Sequence, residues 1–379
     1  MKKKNRIHLN RLIEKYRRGD TVPPCPHFGR CGGCLFQDLS YDDQLELKKE
    51  LVNDALQEIA SVDRVNPSPP YRYRSRMDMV TAFGRCGLRR SGSYRVVIDI
   101  EFCRIMREKS ERLYRAIRPL ISDIEDYDYL RHHGYLRYVV LREALFTGQV
   151  MLNFVTAAWE NRLASVIERI ADQADSVSLI HSGGLADLSY GDIFETIKGG
   201  YIEESLDGIR FRITPNSFFQ SNAEIAVQMY RRIRNEAGGR VLDLCSGVGG
   251  ISLFIAGSVD RVTGVEMNRE AVDAAETNRL INRIENAEFT CAEAKDFLRG
   301  RVDDYETIVL DPPRSGMLPD VMERIDRMRA GKIIYLSCNP ATFRDDVRNL
   351  HGYRVESVEA YDMFPQTPHV ELLGILKAE

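Results

Sequence analysis

The sequence predicts an α/β protein in which an N-terminal cysteine loop and a β-rich central domain precede a C-terminal domain built on a parallel sheet. Three observations carry that prediction. Beyond Pro215 short apolar strands alternate with amphipathic helices, the pattern of a parallel sheet covered on both faces. Between about residue 76 and residue 214 most of the pattern is strand-like alternation punctuated by glycine. Near the N-terminus Cys25, Cys31 and Cys34 crowd into one glycine-rich loop. The 379 residues suffice for two or three domains, and the 44% hydrophobic and 29% charged fractions are those of a globular chain. No apolar run approaches the ~20 residues of a membrane span. Met1-Lys2-Lys3-Lys4 opens onto polar residues and not onto an apolar signal core, so a cytoplasmic location is expected.

Taken in order, residues 1–20 read as a basic leader, with Lys2, Lys3, Lys4, Arg6, Arg11, Lys15, Arg17 and Arg18 against Glu14 alone. Residues 21–105 hold the cysteine loop and a helix from Tyr41 to Ile59, marked by Leu45, Leu47, Val52, Leu56 and Ile59. The breaker 66–70 follows, then strands through 76–83 and 94–100. Within 71–107 nine arginines meet only Asp78, Asp99 and Glu101, although the whole chain is at −3. Such asymmetry is that of a polyanion-binding face, and equally that of solvated strand charges. Residues 106–214 form the expected central domain, with a helix at 108–122 and strands within 135–156 and 176–214. The last domain, 215–379, carries strands at 240–244, 261–266, 287–291, 307–310, 332–336, 353–361 and 370–377.

The first strand of the last domain runs into Asp243-Leu244-Cys245-Ser246-Gly247-Val248-Gly249-Gly250. A glycine-rich turn between strand and helix lets backbone approach a ligand closely. Glu266 ends the next strand, about 20 residues on, where an acid can take ribose hydroxyls. The third glycine of a dinucleotide fingerprint is missing, which points to S-adenosylmethionine and away from a nicotinamide cofactor. Asp311-Pro312-Pro313-Arg314 follows the fourth strand, an acid at the crevice edge of an open sheet. The fifth strand ends in Ser337-Cys338-Asn339-Pro340. A cysteine at a strand-to-helix turn gains thiolate character from the helix N-terminus. Glu371, in Pro368-His369-Val370-Glu371, is a strand cap or a general base.

Cys25, Cys31 and Cys34, with Cys103 distant in sequence, give a four-thiolate set. Disulfides are not expected in the cytoplasm. Spacing alone leaves zinc and a [4Fe–4S] cluster open.

With Phe218-Phe219-Gln220-x-Asn222 added to these motifs, nearly the whole chain after the leader resembles the S-adenosylmethionine-dependent RNA uracil-5-methyltransferases. The resemblance implies a C-terminal Rossmann-like class I methyltransferase domain, a β-rich central RNA-binding domain and an N-terminal iron–sulfur loop. It implies Cys338 as nucleophile toward C6 of a uridine and Glu371 as the base that removes the C5 proton. Gln220, Glu266 and Asp311 would bind the cofactor. Glu293 would sit on the adenine side. Cys245 and Gly250 stand where the family usually has an aromatic residue and often an asparagine, so their contacts would come from backbone, as would those of Gly247. The resemblance also favours a [4Fe–4S] cluster on Cys25, Cys31, Cys34 and Cys103, with zinc as the other occupant. RNA is the expected partner, with no membrane and no obligate protein partner. Only 24 residues precede Cys25, too few for a separate β-barrel, and that layout favours ribosomal RNA over transfer RNA. Two other classes fit the residues less well. A non-catalytic iron–sulfur RNA-binding protein rests only on Cys245 and Gly250. A DNA cytosine methyltransferase would carry a Pro-Cys turn earlier in the domain, and none is present.

Overall fold

Two sheets, of eight and seven strands, divide the chain, and the division does not follow sequence order. The computed structural model describes residues 3–299 and 304–379. In the larger sheet the order is Val65–Asn66, Tyr353–Tyr361, Glu371–Ala378, Lys332–Ser337, Thr307–Leu310, Arg240–Leu244, Arg261–Glu266 and Ala287–Cys291. The last five of these run parallel to one another, and Glu371–Ala378 is antiparallel to both its neighbours. Alternation along the central strands feeds two cores, as strand geometry requires. Leu242, Leu244, Ile308, Leu310, Ile333 and Tyr335 pack on one face. Val241, Val309, Ile334 and Leu336 pack on the other.

The seven-stranded sheet runs Asp192–Lys198, Ser176–His181, Val150–Thr156, Leu136–Glu143, Arg76–Ala82, Arg85–Arg90, Ser93–Asp99. The arginine-rich strands and the central strands are thus one sheet, and no boundary falls at 105/106. Residues 21–105 do not form one unit either. Val65–Asn66 pairs with Ala360 and Tyr361, and the helix Tyr41–Leu56 packs beside Pro340–Val347, where Arg344 donates to the Ala55 carbonyl at 3.1 Å. That helix stops short of Ile59 because Gln57 turns to φ +56° and its N–H caps the Asn53 carbonyl. The helix expected at 108–122 becomes Glu108–Ile117 plus a tighter 3₁₀ turn, Arg118–Ile121, entered at Pro119.

The boundary expected near 215 lies earlier. The hairpin of Ile202–Leu206 and Ile209–Ile213 docks on the helix Arg269–Ile281, where Asn278 and Asn282 side chains accept from the Arg212 and Arg210 N–H groups at 2.8 Å. Leu206 and Phe211 join the core beneath. The leader is not a free tail. Its helix Lys3–Tyr16 buries Leu9, Leu12 and Ile13 against Phe36, Leu39 and Leu47. Lys15, Arg17 and Arg18 pair with Glu50, Asp38 and Asp43. Lys2 and the side chains of Lys3 and Lys4 lie outside the described residues.

Residues 362–370 link the last two strands and lead into Glu371, and the N-terminal part of the chain fixes their course. Lys48 and Asp362 form a fully buried ion pair, and Tyr41 donates to Asp362 at 3.0 Å. Gln44 and Gln366 bond side chain to side chain at 3.1 Å, and the Leu35 N–H donates to the Gln366 carbonyl at 2.7 Å. A buried pair of this kind is costly to break, so it fixes the path of the chain. The N-terminal helix and the cysteine loop together hold the approach to Glu371.

Candidate active site

Strand register brings Cys338 and Glu371 together. Ser337 lies opposite Leu372 in the antiparallel pair of Lys332–Ser337 with Glu371–Ala378. The pairing ends there, and the next residues, Cys338 and Glu371, lie close enough that the Glu371 carboxyl acts on the Cys338 thiol. The parallel pairs continue the row, Leu310 beside Tyr335 and beside Leu244, and Leu244 beside Val265. Cys338, Asp311, Cys245 and Glu266 therefore stand in order along one edge of the sheet, the edge at which open α/β sheets bind ligands. All four line one cavity of ≈ 1650 Å³ together with Gln220, Gly247, Gly250, Glu293 and Glu371. Every candidate catalytic and cofactor residue from the sequence thus meets the same space.

Local chemistry explains each position. In the turn, Cys245 takes φ +67°, and the N–H groups of Cys245 and Ser246 both donate to the Val265 carbonyl, at 2.9 and 3.1 Å. Gly249 has φ +80°, and a Cβ there would stand 2.9 Å from the Phe289 ring, so only glycine fits. The Gly247 and Asn268 N–H groups donate to the two Glu266 oxygens at 3.1 and 2.9 Å, which fixes that carboxylate with lone pairs to spare. Asn222 caps the helix Ala223–Glu236 and donates to Ser68 Oγ at 2.8 Å and the Met363 carbonyl at 3.2 Å. That anchor presents Gln220, two residues earlier, to the cavity.

The site is rich in carboxyl groups whose burial opposes ionisation. Burial pushes Asp311 up to about 7. Glu371 is pushed up to about 8 by burial and by Asp311, with Arg314 opposing. Asp243 is also pushed to about 7 by burial, and its Oδ2 accepts from Ser252 Oγ at 2.5 Å. The Cys338 thiol is raised too, by burial and then by Glu371, against the pull of Arg314. This corrects the expectation of a thiolate favoured by position alone. Cys338 does precede the helix Pro340–Val347, but desolvation and neighbouring carboxyls outweigh the helix terminus. A cation placed among these groups acts the other way on all of them. Cys245 is pushed up to about 12 by burial and then by Glu266 and Asp311, and so stays a thiol at neutral pH. His369 is pushed down to about 4 by burial and by Arg314, Lys48 and Arg74, and is neutral.

Sequence reasoning missed several lining groups. Arg314 was visible inside a motif quoted for the site, whereas Tyr230 reads as an ordinary apolar position of a helix. The arginine segment divides in two. Arg72 and Arg107 pair with Glu111 and Glu143 and so pack the helix Glu108–Ile117, while Arg74, Arg76, Arg89 and Arg90 line the cavity. Phe218, 72% exposed, lines it as well.

Cys25, Cys31 and Cys34 of the loop do converge with Cys103. Cys34 lies within electrostatic reach of Cys103, Cys31 and Cys25, and Cys103 within reach of Cys25 and Cys31. None is in a disulfide. Backbone N–H groups donate to the sulfurs, Gly33 to Cys31 and Ile105 and Met106 to Cys103. Burial pushes Cys34 up to about 12 and Cys103 up to about 11. Among the described residues no group of three or more His, Cys, Asp or Glu is arranged to hold a metal ion. No described helix is long and apolar enough to cross a membrane.

Residues 40–379 match the protein family described as tRNA (uracil-5-)-methyltransferase. The tRNA (uracil(54)-C(5))-methyltransferase of Pyrococcus furiosus is 35% identical over 358 residues, which cover 93% of this chain and 84% of that protein. An uncharacterized RNA methyltransferase of Caldanaerobacter subterraneus is 35% identical over 393 residues, covering 97% and 87%. Among solved structures, the tRNA (uracil-54, C5)-methyltransferase of Pyrococcus abyssi in complex with S-adenosyl-L-homocysteine superposes with a TM-score of 0.81 at 35% identity. It covers 91% of this chain and 85% of that one. The relatives named for a substrate are named for transfer RNA, against the ribosomal RNA expected from the short leader.

Proposed function

The chain belongs to the tRNA (uracil-5-)-methyltransferase family, and we propose that it transfers a methyl group from S-adenosylmethionine to C5 of a uridine in transfer RNA through a covalent adduct on Cys338. The observation that carries the reading is that Cys338 and Glu371, at the adjoining ends of paired strands, line one cavity with Asp311 and the Gly247 turn. Uracil C5 is too electron-poor to attack a sulfonium unaided. The Cys338 thiolate adds to C6, and the C5–C6 π pair moves to the C4 oxygen as an enolate. C5 then takes the methyl group, and the sulfonium leaves as a neutral thioether. Glu371 removes the C5 proton, and the released pair re-forms C5–C6 and expels the Cys338 sulfur. The target must leave the RNA stack to reach the cavity, at a cost of a few kcal/mol. Arg74, Arg76 and Arg90 would meet phosphates there, since phosphate contacts dominate RNA affinity.

Gln220, Glu266 and Asp311 would hold the methyl donor, with backbone at Cys245, Gly247 and Gly250, and with Glu293 toward the adenine. The donor's positive charge suits the carboxyl-rich floor. Its binding is expected to tighten from pH 6 to 8, as Asp311 and Glu371 lose protons, by about tenfold per pH unit for each proton displaced. S-adenosylhomocysteine, which lacks the sulfonium, should show a shallower slope in calorimetry. Equal slopes would count against the sulfonium lying near these groups.

Cys25, Cys31, Cys34 and Cys103 would hold a [4Fe–4S] cluster. The four sulfurs lie within electrostatic reach of one another, which a shared cluster would need. The amide donors to Cys31 and Cys103 suit thiolate ligands. Its contribution would be a cross-link between the cysteine loop and the end of the arginine strands. Protein purified without oxygen should contain iron and acid-labile sulfide, and Cys34→Ser should lower both. Stoichiometric zinc without iron would reject the cluster.

The substrate test uses labelled methyl donor with unmodified transfer RNA and ribosomal RNA from a strain lacking the gene. Label is expected in transfer RNA, as 5-methyluridine at the position named for the Pyrococcus relatives. Label confined to ribosomal RNA would overturn the substrate while leaving the chemistry intact. A cytoplasmic location follows from such a substrate.

A further inference from the structure

The helix Ala223–Glu236 packs Ile225, Ala226, Met229 and Ile233 into the core, and Tyr230 lies among them with only 5% of its surface exposed. Its ring meets Phe254 edge-on at 5.5 Å and 64°. Burial, then Asp311, Asp243 and Glu371, raise its phenol above the ordinary range, and no hydrogen bond to it is formed among the described residues. The residue lines the cavity. Gly250 makes the room, because a Cβ there would stand 3.0 Å from the Tyr230 oxygen. A buried hydroxyl without a partner is costly, so one aimed into a ligand cavity is matched when the ligand brings the acceptor.

The methyl donor has three charges at this end, a sulfonium, an ammonium and a carboxylate. Asp311 and Glu371, both lining the cavity, attract the two cations and repel the carboxylate. The carboxylate therefore needs a neutral donor, and the Tyr230 hydroxyl is an unmatched one beside those acids. Ser246 Oγ also lacks a partner among the described residues, but it sits against Gly264, where a Cβ would stand 3.0 Å from it. We propose that Tyr230 is a cofactor-binding residue whose hydroxyl, in the space left by Gly250, donates a hydrogen bond to the carboxylate of the methyl donor's amino-acid end. The assignment rests on the proposed use of S-adenosylmethionine.

The test compares two ligands by calorimetry, S-adenosylhomocysteine and its analogue lacking only the carboxylate. Tyr230→Phe is expected to weaken S-adenosylhomocysteine by about tenfold to a hundredfold, the loss for a hydrogen bond to a charged group, and to leave the analogue unchanged. A purely structural role would weaken both ligands equally, and that result, or no loss for either, overturns the assignment. Gly250→Ala, whose Cβ would stand 3.0 Å from the same hydroxyl, should weaken S-adenosylhomocysteine by a larger factor than the analogue, and an equal factor for both overturns the assignment. It decides the matter if Tyr230→Phe does not fold. Wild-type protein that bound neither ligand would overturn the cofactor reading itself, and this assignment with it.

Discussion

Cys338→Ala is expected to abolish methyl transfer, lowering kcat by about 10⁴-fold or more, the scale on which enzymes lose rate when their nucleophile is removed. Binding of S-adenosylhomocysteine should survive, because the thiol lies beyond the Gly247 turn that holds the cofactor, across Asp311. The size of the effect follows from the chemistry. Without a sulfur on C6 there is no enolate, and the residue paired with Glu371 on its other side is Tyr361, whose hydroxyl donates to Glu359 at 2.7 Å. Cys245 and Cys34 also line the cavity, but Cys245 is a high-pKa thiol two strands away from Glu371's neighbour and Cys34 belongs to the cysteine loop. Methyl incorporation and ligand binding, measured on the same preparation, check both halves. Turnover within tenfold of wild type would refute covalent catalysis.

Glu371→Gln should act on two steps in opposite directions. Glutamine cannot take the C5 proton, so release of the adduct should slow by about 10²–10⁴-fold, the usual worth of a general base. Glu371 also raises the Cys338 pKa, so its neutral replacement should lower that pKa and leave more thiolate for attack. The expected result is a protein–RNA adduct that survives denaturing electrophoresis, formed readily and resolved slowly. The fold should tolerate the change, because Glu371 resists ionisation in its buried place. Loss of activity without an adduct would mean that Glu371 serves the first step instead.

The catalytic sheet was legible because its strands obey local rules. Thr307–Leu310 and Lys332–Ser337 are apolar runs bounded by turn residues, and each ends on a residue with chemistry, Asp311 and Cys338. Pattern and motif place such residues at a strand end without knowing which strands are neighbours. Neighbourhood was the part not written locally. Nothing around Val65 announces its partner Ala360, nor anything around Lys48 its partner Asp362, because both depend on chain segments roughly 300 residues apart. The segment boundaries at 105 and 215 failed for the same reason, since alternation shows that a strand forms and not which sheet accepts it. The state of the Cys338 thiol was also hidden. A helix N-terminus is visible in sequence, whereas the competing burial and the Glu371 carboxyl arrive only with the fold. Tyr230 was invisible because its helical position is that of a core residue, and its function depends on an absent side chain at Gly250.

A uridine carrying fluorine at C5 has no proton there for Glu371 to remove, so any adduct formed on the way to methylation persists. The most direct measurement is therefore mass spectrometry of the digested protein after incubation with 5-fluorouridine-substituted transfer RNA and S-adenosylmethionine. The expected result is one peptide, the one containing Cys338, carrying a methylated fluorouridine nucleotide. Methylation of ordinary transfer RNA alongside an unmodified Cys338 peptide, or a nucleotide found on Cys245 or Cys34 instead, would contradict the account.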